Sequence, residues 1–215
     1  MPMEPNLSFF SSAILLIVIS YLLGSLPTAV WLGKWLRDID VRDHGSGNAG
    51  ATNAMRVLGP RIGLVVLLID ALKAIAAVSL SFWMQGSFSS PDLFVIFQIF
   101  LGAVAITGHV FPVFASFKGG KGIASLVGII FILLPEAFLI SLGIFLAVFL
   151  LTRYVSLGSL IAAIALPFIV ILVKEVTLVP KIIFAVAIAV FVPVTHKNNI
   201  RRLLQGKENR ISFKR

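Results

Sequence analysis

The sequence predicts an all-α integral membrane protein with seven transmembrane helices, six being the alternative count. Composition and the spacing of apolar runs carry that expectation. Of 215 residues, 59% are apolar and 13% are charged, whereas soluble domains carry about 25% charged residues. The mean hydropathy is +1.04. A spanning helix needs about 20 mostly apolar residues, and seven candidate runs occur, at 9–35, 63–83, 93–114, 123–134, 137–152, 155–173 and 180–194.

The first run contains Gly24-Ser25-Leu26-Pro27, which reads as a break with a kink at Pro27. Ser25 is a candidate to line a site there. The second run carries Asp70 and Lys73 in its middle. The third follows Ser90-Pro91-Asp92, a helix start. The fourth is short and is closed by Pro135-Glu136, so it is expected to tilt or to span only partly. The tail "HKNNIRRLLQGKENR" is expected to form a short amphipathic helix on the inner leaflet, where basic residues favour anionic lipid. No internal repeat or long linker is visible, so one domain over 1–215 is expected.

Orientation follows from Lys and Arg. Fifteen of the 18 lie in the connections 34–61 and 118–121, at Arg153, and after His196. The opposite connections hold only Lys174 and Lys181, and Lys73 lies within a run. The N-terminus is therefore expected outside and the C-terminus in the cytoplasm. The net charge of +9 thus reflects topology, and no nucleic-acid partner is expected. The opening "MPMEPNLSFF" has no Lys or Arg, so the first run is expected to be retained rather than cleaved as a signal. With no cysteine, disulfides and thiolate metal sites are excluded.

All three histidines, His44, His109 and His196, fall on the expected cytoplasmic side, together with two glycine-rich stretches. The first is "GSGNAGATNAMR", from Gly45 to Arg56. Its Gly45, Gly47 and Gly50 match G-x-G-x-x-G, but a dinucleotide site needs a preceding strand and a βαβ unit. What remains is the physics of an anion-binding nest of backbone N–H groups. Ser46, Asn48, Thr52 and Asn53 are candidates to add hydrogen bonds, and Arg56 to add a bidentate phosphate contact. A flexible loop is the plain alternative.

"FKGGKGIAS" places Lys118, Gly119, Gly120, Lys121 and Gly122 before a helix, whose N-terminus suits phosphate. It is not a Walker A loop, because Ala115 and Gly122 stand where that motif needs Gly and Ser or Thr. A positive-inside anchor is the plain alternative. Asp70 and Lys73, at i,i+3, can pair on one helix face. Intramembrane charges mark either a structural pair or a substrate role, and both readings stand. Asp38, Asp40 and Asp43 invite a metal, but a solvated charged loop is the better reading and no metal or cofactor is expected. His109 before Pro112 is read as a helix cap or a site residue. His196, Asn199 and Arg202 recur at helical spacing and can share a face.

Two anion loops at a membrane face fit an acyl transferase. The H-x-x-x-x-D dyad of thioester-using enzymes is absent, since Ala49, Phe114 and Arg201 follow the three histidines at that spacing. A phosphate transporter would need polar groups along a midplane path, which only Asp70 and Lys73 approach. An enzyme of CDP-alcohol or polyprenyl lipid chemistry should need magnesium.

The stretches "GSLPTA", "GSGNAGATNAMRVLG", "LLIDALKA", "GHVFPVFASFKGGKGIA", "RYVSLGS" and "HKNNIRRLLQGKE" occur in that order. In this the chain resembles the bacterial acyl-phosphate:glycerol-3-phosphate acyltransferases of the PlsY type. One departure is Thr195 before the last histidine, where the family often has Arg. The resemblance implies transfer of a fatty acyl group from acyl phosphate to glycerol-3-phosphate in a bacterial inner membrane, by a monomer whose site faces the cytoplasm. It implies that Ser46, Gly47, Asn48 and Gly50 with Lys118–Lys121 cradle the acyl-phosphate head. Thr52, Asn53, Arg56, His196, Asn199 and Arg202 would hold the glycerol phosphate, while the acyl chain leaves sideways into lipid. The attacking hydroxyl would lose its proton to His196 or to a substrate phosphate oxygen. Glu208 would orient Arg202 or Lys121.

Overall fold

The computed structural model describes residues 7–173 and 178–211. The first residues of the expected external N-terminus, Lys174, and the two last basic residues counted for orientation lie outside the described residues. Every described element is helical, with no strand among the described residues. Two compact units divide the chain, Met1–Leu133 and Leu134–Arg215, and each is built around its own helices.

In the first unit, α1 (Leu7–Gly24) ends at the expected break and the chain resumes as α2 (Thr28–Arg37). Pro27 has no N–H to continue the ladder and disfavours a helical residue before it. A short α3 (Ala51–Val57) leads through Gly59 into α4 (Pro60–Ser79), with Pro60 opening the helix, where a missing N–H costs nothing. α5 (Pro91–Val110) starts from Ser90, whose hydroxyl accepts the Leu93 N–H at 3.3 Å. α6 (Ile123–Leu133) completes the unit. α4 is central, packing on α1, α3, α5 and α6. Its buried stripe includes Val66, Asp70, Lys73, Ala74, Ala77 and Val78. The small residues Gly24 and Gly108 let α1 and α5 approach backbone to backbone, a membrane packing habit.

The second unit packs α7 (Pro135–Thr152) on α8 (Val155–Leu172), and α8 on α9 (Val179–Thr195). A 63° bend after α9 leads into α10 (Lys197–Leu204). Arg153 sits in the left-handed region between α7 and α8, at φ 62°, and its carbonyl accepts the Ile211 N–H at 3.0 Å. That bond ties the tail back to the α7–α8 turn.

All seven apolar runs are helical. Among the described residues, five stretches are long and apolar enough to cross a membrane: Leu7–Arg37, Pro60–Ser87, Pro91–Ala115, Pro135–Thr152 and Val155–Leu172. The bent pair α9–α10 makes a sixth if taken as one span. The seventh run is α6, with 11 residues. At 1.5 Å per residue it is about 16 Å long, roughly half the hydrocarbon thickness. A count of seven crossings therefore depends on α6, the run whose length the sequence already marked as short.

Candidate functional site

The first unit carries a loop from Asp40 to Gly50 that ends in α3. Gly45 and Gly47 have φ of 63° and 71°, a region open to glycine at no steric cost. A Cβ at Gly45 would also strike Asn53 Oδ1. Asn53 is 1% exposed and organises the turn. Its Oδ1 accepts from Ser46 N at 2.7 Å and Ser46 Oγ at 3.1 Å. Its Nδ2 donates to Val41 O at 2.7 Å and His44 O at 3.1 Å. Asn53 was expected to touch a ligand; instead, both ends of its amide are used inside the loop. Among the described residues, the backbone N–H groups from Asn48 to Thr52 donate to no protein acceptor. Five such groups in succession, leading into a helix, form a concavity suited to an anion. Ser46 and Gly47 are exposed, and Asn48, Thr52 and Arg56 are half-buried.

The second glycine loop works differently from expectation. The Gly119 N–H donates to Val110 O at 3.0 Å and the Gly120 N–H to His109 O at 3.1 Å. These two amides face the end of α5 and are not offered to a ligand. A Cβ at Gly119 would strike His109 O, and one at Gly120 would strike His109 Nε2. Both glycines are therefore small for close packing, which a sequence cannot distinguish from glycine kept for an open nest. The open amides begin one step later, at Gly122, Ile123 and Ala124, where α6 starts. Lys118 is exposed beside them in sequence, and Lys121 is half-buried.

A buried polar cluster is built from the α1–α2 break, α2, α4, α5 and α6. Asp70 Oδ1 meets Lys73 Nζ at 2.7 Å and Thr28 Oγ1 at 3.1 Å. Lys73 also donates to Leu26 O at 2.8 Å, a carbonyl freed by the α1–α2 break. Ser125 Oγ donates to Asp70 O at 3.4 Å. His109 Nδ1 lies 3.7 Å from Asp70 Oδ1. Asp70, Lys73 and His109 are at most 6% exposed, so this geometry favours the structural reading of the pair. His109 packs under Gly120 rather than capping α5. Ser25 is fully buried.

In the second unit the α9–α10 bend places His196 with its Nδ1 2.9 Å from Val192 O. A carbonyl only accepts, so Nδ1 carries a proton and Nε2 is the basic nitrogen of the neutral ring. Thr195 donates to Val192 O at 2.9 Å and lies 3.3 Å from His196 Nδ1. Glu208 accepts from Asn199 at 2.9 Å, Arg202 at 2.7 Å and Ser156 at 3.1 Å. Burial alone would raise the Glu208 carboxyl, and it is the largest single influence. Arg202, Asn199 and Ser156 together outweigh it and hold the group below the usual carboxylate range. Arg202 is thus one of the partners of Glu208.

The sequence reading missed Arg42 and placed Asp40 in a solvated charged loop, without its partner. The Asp40 carboxylate accepts Arg42 Nε at 3.0 Å and Nη2 at 2.6 Å. The Arg42 guanidinium holds Asp40 below the usual carboxylate range. Asp40 is therefore committed to an ion pair, and no group of three or more metal-ligating side chains occurs among the described residues. An acid and a base two residues apart, directly before the glycine loop, were the available signal.

A family model described as glycerol-3-phosphate acyltransferase matches residues 14–206. The chain belongs to the glycerol-3-phosphate acyltransferase family. Within it, the glycerol-3-phosphate acyltransferase of Chlorobium phaeobacteroides is 42% identical, covering 93% of this chain and 97% of that one. The Fusobacterium nucleatum protein of the same name is 43% identical over 92% and 97%. Two crystal structures of PlsY, an integral membrane glycerol 3-phosphate acyltransferase, share the fold. The glycerol 3-phosphate form has a TM-score of 0.82 at 36% identity, covering 94% of this chain and 96% of PlsY. The lysophosphatidic acid form has a TM-score of 0.79 at 35% identity over the same shares. The acyltransferase family model spans both glycine loops, the buried cluster and the α9–α10 bend.

Proposed function

We propose that the protein acylates glycerol-3-phosphate, taking the acyl group from acyl phosphate and releasing 1-acylglycerol-3-phosphate and phosphate. This is the first acylation in phospholipid synthesis. The observation that carries the reading is the run of uncommitted backbone amides from Asn48 to Thr52 in a chain of this family. PlsY, crystallised with glycerol 3-phosphate and with lysophosphatidic acid, supports the acceptor and the product.

An acyl phosphate is a mixed anhydride with its leaving group in place. The protein needs to position it and to stabilise developing charge on the carbonyl oxygen. In the first unit, Ser46, Gly47, Asn48 and Gly50 hold the acyl-phosphate head with Lys118, Lys121 and the α6 amides from Gly122 onward. Gly45, Asn53, Gly119 and Gly120 shape these loops, and Thr52 and Arg56 bind phosphate oxygens. In the second unit, His196 and Arg202 recognise the acceptor, while Glu208 orients Arg202 and Asn199. The acceptor hydroxyl attacks the carbonyl carbon, the carbon–oxygen bond to phosphate breaks, and a substrate phosphate oxygen takes the proton. No cofactor takes part. Ser25, Asp70, Lys73 and His109 act through the loops rather than on substrate.

The enzyme works as a monomer and as one functional domain in the inner membrane. Seven crossings put the N-terminus outside and both glycine loops on the cytoplasmic face, where the positive charge is concentrated. The test is donor choice: acyl phosphate supports acylation in excess chelator and acyl-CoA does not. Activity with acyl-CoA alone, or a magnesium requirement, defeats the reading.

A further inference from the structure

We propose that Arg42 is a positioning residue for acyl transfer, a strap that ties the turn before the first glycine loop to the turn before the second and fixes their spacing. The inference rests on the function proposed above. The Arg42 side chain spans two segments far apart in sequence. Nε and Nη2 grip Asp40, at 3.0 and 2.6 Å. Nη1 donates to Ala115 O at 2.8 Å and to Lys118 O at 3.2 Å. The Asp40 carboxylate is itself aimed by the short helical turn Val41–Asp43, since Oδ1 accepts the Arg42 backbone N–H at 2.9 Å.

The held segment needs holding. Ser116 and Phe117, consecutive, have φ of 54° and 59°. A left-handed backbone is an outlier for a bulky side chain, and such conformations persist where the surroundings over-determine them. Phe117 is 57% exposed, so its own packing does not explain its backbone. The carbonyls on which Arg42 closes, Ala115 and Lys118, bracket this strained pair. Directly beyond Lys118 lie Gly119 and Gly120, then Lys121 and the start of α6. On the other side, Val41 is fully buried and its carbonyl accepts from Asn53 at 2.7 Å. Arg42 therefore stands on one anchored loop and grips the other.

All three guanidinium nitrogens face protein acceptors, and Asp40 neutralises the charge. That is the wrong arrangement for a phosphate ligand and a suitable one for a strap. A planar fork is needed, because one group must meet a carboxylate and two carbonyls at fixed angles. An ammonium is a point charge and cannot reproduce it.

The test compares Arg42→Gln, Arg42→Lys and Asp40→Asn with the full-length parent in lipid nanodiscs, by hydrogen exchange and by kinetics. The amides of Phe117, Gly119 and Gly120 should exchange about tenfold faster or more in Arg42→Gln, with α4 and the body of α5 unchanged. The kcat should fall about tenfold or more, with KM for both substrates within about threefold. Arg42→Lys should not rescue, and Asp40→Asn should fall between. Unchanged exchange in the 112–121 segment overturns the strap. Faster exchange with unchanged kcat overturns its role in the reaction, and a rise confined to KM makes Arg42 a substrate ligand instead. If Arg42→Gln does not fold, Arg42→Lys and Asp40→Asn decide by the same readouts. Should the parent itself fail to use acyl phosphate, the proposed function falls while hydrogen exchange still judges the strap.

Discussion

Asn53 Oδ1 accepts both the backbone N–H and the hydroxyl of Ser46, at 2.7 and 3.1 Å, so one buried side chain sets the curvature of the first glycine loop. Asn53→Ala removes the acceptor of Ser46 N and Oγ and one of the two donors to each of Val41 O and His44 O. Losing hydrogen bonds of this kind costs about 0.5–1.5 kcal/mol each. Activity should fall about a hundredfold, with a lower Tm, measured by acyl transfer and thermal unfolding in the same lipid. Asn53→Asp should fail similarly, because a carboxylate cannot donate to the two carbonyls. Near-normal turnover in either variant would remove Asn53 from the loop's architecture.

Gly120→Ala should be damaging for a packing reason. The added methyl has to displace the His109 ring, and overpacking of this kind costs about 1–3 kcal/mol. Shortening the ring's side of the contact, in Gly120→Ala with His109→Ala, should recover part of the lost stability. Thermal unfolding of the single and double variants measures that coupling. If the double variant is simply additive, the glycine is needed for something other than His109.

Asp70 and Lys73 make a buried ion pair at 2.7 Å. Removing one partner strands the other charge, at a cost of about 3–5 kcal/mol. Asp70→Asn and Lys73→Met should each express poorly or unfold early. Combining Asp70→Asn with Lys73→Met should be less harmful than either alone, and unfolding midpoints will show it. A direct substrate role predicts the opposite in assays, with the double variant folded yet as inactive as the worse single one.

The tail should respond to acid through Glu208. Its folded pKa lies below the unfolded value, so its contribution to stability is present above the unfolded pKa. That contribution is lost as pH falls through the folded one. Protection of the amides around Arg202 and Glu208, corrected for the intrinsic pH dependence of exchange, should be constant near neutrality and fall as pH drops below the ordinary glutamate value of about 4.3. Glu208→Gln should show the raised exchange already at neutral pH. A tail equally protected at all pH values in the parent would contradict this.

His196 donates Nδ1–H to Val192 O, so Nε2 is the nitrogen of the neutral ring that can accept a proton. If a substrate phosphate takes the proton, His196→Gln should raise KM for glycerol-3-phosphate about tenfold and leave kcat within about tenfold. The acid limb of the parent's pH–rate profile should persist. Loss of that limb with a collapse in kcat would make His196 the base.

Much of this was readable in the sequence for physical reasons. Apolar runs of bilayer length, the proline at 27, and an acid–base pair at i,i+3 leave few alternatives, and each was found where expected. The shortness of the run at 123–134 was visible too. Gly119 and Gly120 were not readable, because close packing and an open nest ask for the same residue. Thr28, Ser125 and Ser156 were missed because their partners lie more than 40 residues away. Arg42 was missed because two of its acceptors are backbone carbonyls, which no side-chain pattern records.

The most direct measurement follows the bridging oxygen. Purified protein is given glycerol-3-phosphate and acyl phosphate carrying heavy oxygen between the acyl and phosphoryl groups, in excess chelator, and the products are weighed by mass spectrometry. Attack at the carbonyl carbon, held by amides and cations alone, predicts acylated glycerol-3-phosphate without label and released phosphate with it. Label recovered in free fatty acid, or no acylated product until a metal is restored, would contradict the account.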